Sequence, residues 1–350
     1  MEIKDIDFVV TWVDGNDPRL NSLRLKYWQE QPPTHRPAQP TPPATQYANS
    51  NEIIYCLASI LRHASFVRRI HVITDQQQPP LWLLSAFGFN SDELGKISIV
   101  DHKEIFKGLD DLTPCFNSLS IESVIHRTPG LADHFVYMND DFFIIKPTTA
   151  ADYFAAPETP IVNGKIRPYI SIYLRLKLWL INAQSKRRTP RWSFINGCMI
   201  AAQKTGMRLR YILLDHSPRP IYKPLLDQFL EARPDLLREN ASHRFRNYHQ
   251  FLPQALASCL SLRENKLKVN SNQHISRFLR PNKNPEDNFT TKNWKRRLFW
   301  PKILQQNKEN NSKDPLFLCI QNLDQATEAE RDSMLAYMNQ MFTLQRSKAP

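Results

Sequence analysis

The sequence holds only 8 glycines against 26 prolines, and no glycine falls in a Gly-x-Gly-x-x-Gly or Gly-x-x-x-x-Gly-Lys pattern. A nucleotide bound here is therefore not cradled by the glycine-rich loop of a dinucleotide-binding or P-loop protein. Five cysteines, at 56, 115, 198, 259 and 319, are odd in number, scattered and without a Cys-x-x-Cys pair. That excludes a disulfide framework or zinc ribbon and fits reduced thiols in cytoplasm. No window carries the ~18 uncharged apolar residues of a membrane span. Met1-Glu2-Ile3-Lys4-Asp5 runs straight into a strand pattern, without the cationic and apolar regions of a signal peptide. The expectation is a cytoplasmic protein, at most peripheral to the inner face of a membrane.

What is present is a chain of 350 residues, 41% hydrophobic and 11% aromatic, enough for one large α/β domain with insertions or for two domains. The net charge of +12 favours acidic partners: nucleic acid, anionic lipid, or diphosphate and polyanionic substrates. Charge alone does not choose among them.

Ile6-Asp7-Phe8-Val9-Val10-Thr11-Trp12-Val13 is β-branched and aromatic and meets a dense turn cluster, Asp14-Gly15-Asn16-Asp17-Pro18. A helix is expected from Pro18 to Gln29. Residues 31 to 43, with six prolines and no acid, read as an extended linker. Apolar spacing predicts an amphipathic helix over 51–63, capped by Ser50 or Asn49, then strands over 69–75 and 96–101 and a helix over 117–127. Strands alternating with helices predict an α/β fold: a mainly parallel Rossmann-like sheet with helices on both faces and a helical, basic insert. Residues 1–150 form the first part of that core, 151–314 the insert, and 315–345 a returning strand and helix. Within the insert, 215–262 reads as helical. Residues 165 to 191 carry eight Lys or Arg and no acid. Such a stretch suits an anionic membrane surface, a channel for a polyanionic acceptor, or an ordinary solvated helix.

The centre of the sequence is Phe135 to Ile145, where an apolar run is interrupted by Asn139-Asp140-Asp141. It reads as a buried strand delivering a polar cluster to its carboxyl end, where open α/β sheets place their ligands. Adjacent carboxylates in an apolar frame cost several kcal/mol to desolvate unless a cation compensates them, so Mg²⁺ or Mn²⁺ is the natural partner. The bland alternative is a strand-end turn whose acids face water.

The run from Ile6 to Pro18 resembles the first conserved block of the Stealth family of hexose-1-phosphate transferases. A second block is similar to Asn51-Glu52, Ile70-His71-Val72-Ile73-Thr74-Asp75, Phe116-Asn117-Ser118, Ile121-Glu122-Ser123, Pro129-Gly130-Leu131 and Asn139-Asp140-Asp141. His216 to Arg246, with His243-Arg244-Phe245-Arg246, resembles the third, and Phe317-Leu318-Cys319-Ile320 the fourth. The sequence departs from the family at Gln46-Tyr47-Ala48, at Tyr248-His249-Gln250, and at Gln321-Asn322, where Asn-Asp is usual.

The resemblance implies attack by a glycan hydroxyl on the sugar-side phosphorus of a UDP-sugar, with UMP released and a phosphodiester formed in a capsular or surface polysaccharide. Asp140, Asp141 and Asn139 are then the metal-site candidates. Catalytic candidates are His216 as general base, Asp14 as base or further metal ligand, Arg246 on phosphate oxygens through its planar fork, and Glu122 orienting a sugar hydroxyl or water. Substrate-binding candidates are Trp12, Asn51, Asn117, Ser118, His243, Arg244 and Asn322. Each has a plainer reading: helix caps for Asp14, His216 and Asn117, solvated charge for the arginines, core packing for Trp12. Partners implied are the UDP-sugar, a glycan or lipid-linked glycan acceptor, a peripheral inner-membrane contact and no nucleic acid. A metal-dependent glycosyltransferase, which releases UDP, and a basic nucleic-acid-binding protein are the rival readings.

Overall fold

The computed structural model describes residues 3, 5–31, 51–169, 193–272, 275–279, 315–321, 323 and 326–343. Most of the proline-rich linker, the bulk of the basic 165–191 stretch, and Asn322 lie outside the described residues.

The central sheet has five strands in the order β3-β2-β1-β4-β9. These are β1 (Ile6–Thr11), β2 (Val67–Thr74), β3 (Ile97–Asp101), β4 (His134–Asn139) and β9 (Arg219–Tyr222). The first four pair in parallel and β9 runs antiparallel against β4. A parallel strand is covered on both faces, which is why β1 and β4 read as nearly unbroken apolar runs. Alternation sets the two sides. Phe8, Val10, Val136 and Met138 pack toward the Glu52–His63 helix, while Val9, Phe135 and Tyr137 pack toward the Ser118–Val124 and Pro253–Arg263 helices. Helices thus cover both faces, as the sequence pattern predicts.

Two smaller sheets complete the fold. In one, β10 (Lys268–Asn270), β7 (Thr159–Pro168) and β6 (Phe154–Ala156) lie in that order, and β8 (Arg210–Leu214) also pairs with β7. In the other, β11 (Ser276–Leu279), β12 (Phe317–Ile320) and β5 (Phe142–Ile144) are neighbours. The expected helix over 117–127 is α-helical over Ser118–Val124 and closes as a 3₁₀ turn over Ile125–Arg127. Asn51, not Ser50 or Asn49, caps the Glu52–His63 helix, at φ 62°.

Phe135 to Asn139 lies in β4, which delivers the acids to its carboxyl end as the sequence pattern predicts. After a turn at Asp140 and Asp141 the chain enters β5, which pairs with β12 in the other sheet. The acidic pair therefore stands at the bend where the chain leaves one sheet for another. One reading is corrected: the stretch 215–262, read as helical with a polar break at Ser242 to Asn247, also holds a strand, because Arg219–Tyr222 adds β9 to the central sheet. Pro218 and Pro220 conceal that strand in the sequence. At a sheet edge a proline is tolerated because its missing N–H leaves no ladder bond unmade.

Candidate active site

The strand order 3-2-1-4 reverses between β1 and β4, the position at which open α/β sheets bind ligands beyond the carboxyl ends of their strands. The loop after β1 carries Asp14 to that end of the sheet, and the turn after β4 carries Asn139, Asp140 and Asp141 there. Because β9 runs antiparallel to β4, the loop that enters it, Asp215 to Pro218, reaches the same rim.

The acidic turn is tightly held. The Asp141 carbonyl accepts from Ile320 N at 3.0 Å, and its carboxylate accepts from Cys319 Sγ at 3.8 Å, so β12 pins it from behind. The Asn139 carbonyl accepts from Cys56 Sγ at 3.7 Å. Glu52, at the start of its helix, adds a third acid. Burial first, and then the charges of Asp141 and Glu52, push the Asp140 carboxyl well above the usual range. Burial and Glu52 push Asp141 up to about 7, against the pull of Arg219. Asn139 Oδ1 and Asp141 Oδ1 are buried without a hydrogen-bond partner. Among the described residues no three His, Cys, Asp or Glu side chains converge into a finished ligand set. Unpaired oxygens beside crowded carboxylates still fit a hard divalent cation that completes its shell with substrate oxygens and water.

Behind the acids lies a buried polar chain. Thr11 Oγ1 lies 2.9 Å from Tyr137 Oη, which donates to Glu122 Oε1 at 3.0 Å, while Gln254 Nε2 donates to Glu122 Oε2 at 2.9 Å. Glu122 is only 6% exposed. Burial pushes its carboxyl up, and the Arg219 charge with both hydrogen bonds opposes that. Both of its oxygens accept from protein groups.

His216 sits between two phenyl rings, 5.1 Å from Phe194 and 4.5 Å from Phe278, centroid to centroid. Its loop is fixed by Asp215 N donating to the Asn163 carbonyl at 2.9 Å and by Asn163 Nδ2 donating to Ser217 Oγ at 3.2 Å. Arg246 donates to Ser118 Oγ at 3.0 Å, and its charge also acts on Glu122. Arg219 links these elements: its guanidinium lies over Phe142 next to Asp141 and over Phe194, which stacks on His216, and Gln254 joins it to Glu122. Asp14 is placed on the β1 side, its backbone bracketed by Gln77 and its Oδ1 accepting from Asn16 N at 3.0 Å.

Other candidates hold the frame. Arg244 donates to the carbonyls of Asp111, Leu112 and Pro114 and lies 4.7 Å over the Tyr27 ring. Asn117 caps its helix and donates to the His243 carbonyl at 2.8 Å and Gln250 Oε1 at 2.9 Å. Trp12 is buried in the core with Nε1 unpaired. Asn51 is left-handed at the mouth of the Glu52 helix. Glu52, Arg219 and Gln254 were missed by sequence reasoning. Glu52 stood beside a chosen residue, and Arg219 was hidden between two prolines in a segment read as helix.

Two family models match, Stealth protein conserved region 1 over residues 4–27 and conserved region 2 over 46–162. The chain is 30% identical over 257 residues to the capsular polysaccharide phosphotransferase WcwK of Streptococcus pneumoniae, covering 69% of this chain and 74% of that protein. It is 32% identical over 250 residues to the exopolysaccharide phosphotransferase SCO6023 of Streptomyces coelicolor, covering 69% of this chain and 37% of that longer protein. Among solved structures, the galactosyltransferase LgtC with donor and acceptor sugar analogues aligns over 98% of this chain and 97% of its own at 12% identity. Its TM-score of 0.34 is too low to bear on fold or activity. With both conserved regions in order and a relative aligned over more than two thirds of its length, the chain belongs to the Stealth family of phosphotransferases.

Proposed function

We propose that the cleft transfers a sugar-1-phosphate, in the first instance N-acetylhexosamine-1-phosphate, from a UDP-sugar to a glycan hydroxyl, releasing UMP and leaving a phosphodiester in a capsular or surface polysaccharide. The observation that supports this most is the Asn139-Asp140-Asp141 bend, crowded by Glu52 and backed by a buried arginine, with two unpaired oxygens. Such a site suits a diphosphate bridged to protein by a cation.

In this reading the acceptor oxygen forms a bond to the sugar-side phosphorus, and the bond from that phosphorus to the UMP oxygen breaks. His216 takes the acceptor proton, its ring held in place by Phe194 and Phe278. Arg246, steadied by Ser118, offers its fork to phosphate oxygens. Asp140, Asp141 and Asn139 would hold Mg²⁺ or Mn²⁺, which supplies charge neutralisation on the diphosphate when bound. Asp14, on the opposite wall, reaches the same cleft as a further ligand or second base. The acceptor, lipid-linked or free, is placed at the cytoplasmic face of the inner membrane. No described helix is long and apolar enough to cross that membrane.

The test incubates the protein with a panel of UDP-sugars, Mg²⁺ and acceptor oligosaccharide, and quantifies UMP and UDP. UMP release with a phosphodiester signal in ³¹P NMR, abolished in Asp140→Ala and cut by at least ~100-fold in His216→Ala, is expected. UDP release instead would assign glycosyl transfer and overturn the proposal.

A further inference from the structure

Arg219 is 5% exposed, so its guanidinium lies inside the molecule. Its centre sits 5.5 Å from the ring of Phe142, the residue that follows Asp141, and 5.4 Å from the ring of Phe194, which also stacks on His216. Nη1 reaches Gln254 Oε1 at 3.4 Å, and Gln254 passes the contact on to Glu122. Nε is buried without a partner. On β9 Arg219 stands opposite Tyr137 of β4, the residue that donates to Glu122.

A buried guanidinium with no carboxylate in direct contact is costly, because charge taken from water must be repaid by opposite charge or by hydrogen bonds. Among the described residues Arg219 takes part in no ion pair within 4.0 Å. Through Phe142 the guanidinium stands near Asp141, and through Gln254 near Glu122. Its charge opposes the burial that raises both carboxyls, while Asp140 and Glu52 crowd Asp141 at the turn. Two acids thus flank one fixed cation from different sides.

We infer that Arg219 is the internal counter-ion of the site: its charge compensates Asp141 on one side and Glu122 on the other before any metal arrives, and it limits how tightly the acidic turn then holds a divalent cation. Arg219 acts through its neighbours, so it is a positioning residue. The inference rests on the acidic turn being the cation site of the proposed function, but it does not depend on which donor is used.

The test needs no turnover. In EDTA, Arg219→Met is expected to melt below the wild-type protein, and Asp141→Asn introduced into the same chain is expected to raise its melting temperature by clearly more than the same substitution raises that of the wild-type protein, since it removes the charge left uncompensated. Mn²⁺ titrated by electron paramagnetic resonance is expected to bind Arg219→Met at least ~3-fold more tightly than wild type, because a nearby like charge has gone. Arg219→Lys, which keeps the charge, is expected to stay close to the wild-type Mn²⁺ affinity.

A residue that merely fills space would give weaker Mn²⁺ binding on substitution and no gain from Asp141→Asn beyond the gain it gives in the wild-type background. Either result overturns the inference while leaving the cation site itself standing. If Arg219→Met does not fold alone, folding of the Arg219→Met, Asp141→Asn double variant supports the inference and its failure to fold overturns it. Wild-type protein that binds no Mn²⁺ overturns both this inference and the cation reading of the cleft.

Discussion

Tyr137 Oη donates to Glu122 Oε1 at 3.0 Å, and Gln254 donates to the other oxygen, so the carboxylate of Glu122 is consumed inside the protein. Glu122→Leu leaves both donors buried and unpaired, and each orphan costs about 1–3 kcal/mol. The expected result is a loss of about 2–5 kcal/mol in urea unfolding. Glu122→Gln keeps the shape and one acceptor, and should lose only a few-fold in turnover. A loss in Glu122→Gln as large as in His216→Ala would place Glu122 at the reacting atoms instead.

Arg244 and Arg246 stand two residues apart with different duties. The Arg244 fork is spent on the carbonyls of residues 111, 112 and 114, while Arg246 rests on Ser118 near Glu122. Arg244→Ala should therefore cost about 1–3 kcal/mol of stability through the lost charged hydrogen bonds. Turnover per folded molecule should change little. Arg246→Ala should unfold near wild type and lose at least ~10-fold in kcat/KM for the UDP-sugar. Thermal unfolding beside steady-state kinetics separates the two.

The parallel sheet was legible because its strands are buried on both faces and so write near-continuous apolar runs into the sequence. Asn139-Asp140-Asp141 stood out as a polar break in such a run. What was not legible were relations made only in three dimensions. Nothing in the sequence brings Glu52 to the acidic turn, or sets Arg219 opposite Tyr137 on an antiparallel edge strand. Arg244 and Arg246 were equally basic in the sequence. Only the backbone carbonyls around Arg244 distinguish a brace from a candidate ligand. The bend between β4 and β5 was hidden for a similar reason, since both flanks are apolar and the change of sheet has no local signature.

Asp7 sits at the far, amino end of β1, fully buried, and joins β1 to β2 and to the turn that precedes β4. Arg68 Nε donates to it at 2.9 Å, His71 Nε2 lies at 3.2 Å, and Ala132 N donates at 2.9 Å. Burial alone would raise its carboxyl, but the hydrogen bonds from His71, Arg68 and Ala132 outweigh that and hold it below its ordinary 3.8. A lowered folded-state value gives stability above the unfolded value that is lost as pH falls through the folded one. Asp7→Ala should therefore cost about 3–5 kcal/mol at pH 7, as expected for a broken buried pair. It should also flatten the acid limb of the unfolding curve, with UMP release per folded molecule unchanged. An unaltered acid limb would contradict the assignment.

Asp141 titrates in the opposite sense. Its carboxyl rises from an ordinary 3.8 to about 7, mainly through burial and then the Glu52 charge. Between those values the folded chain binds the proton that the unfolded chain has lost, so this group costs stability progressively as pH rises across the window. A cation at the turn removes that cost by replacing the proton. Mg²⁺ or Mn²⁺ should therefore raise the melting temperature little near pH 5 and markedly near pH 8. In Asp141→Asn the metal-free protein should gain stability relative to wild type at pH 8 and show a much smaller metal-dependent shift at either pH. Differential scanning fluorimetry of both proteins, with EDTA or with the metal, measures all four comparisons. A metal-dependent shift in wild type that is equal at both pH values would show that the cation does not displace a proton from this turn.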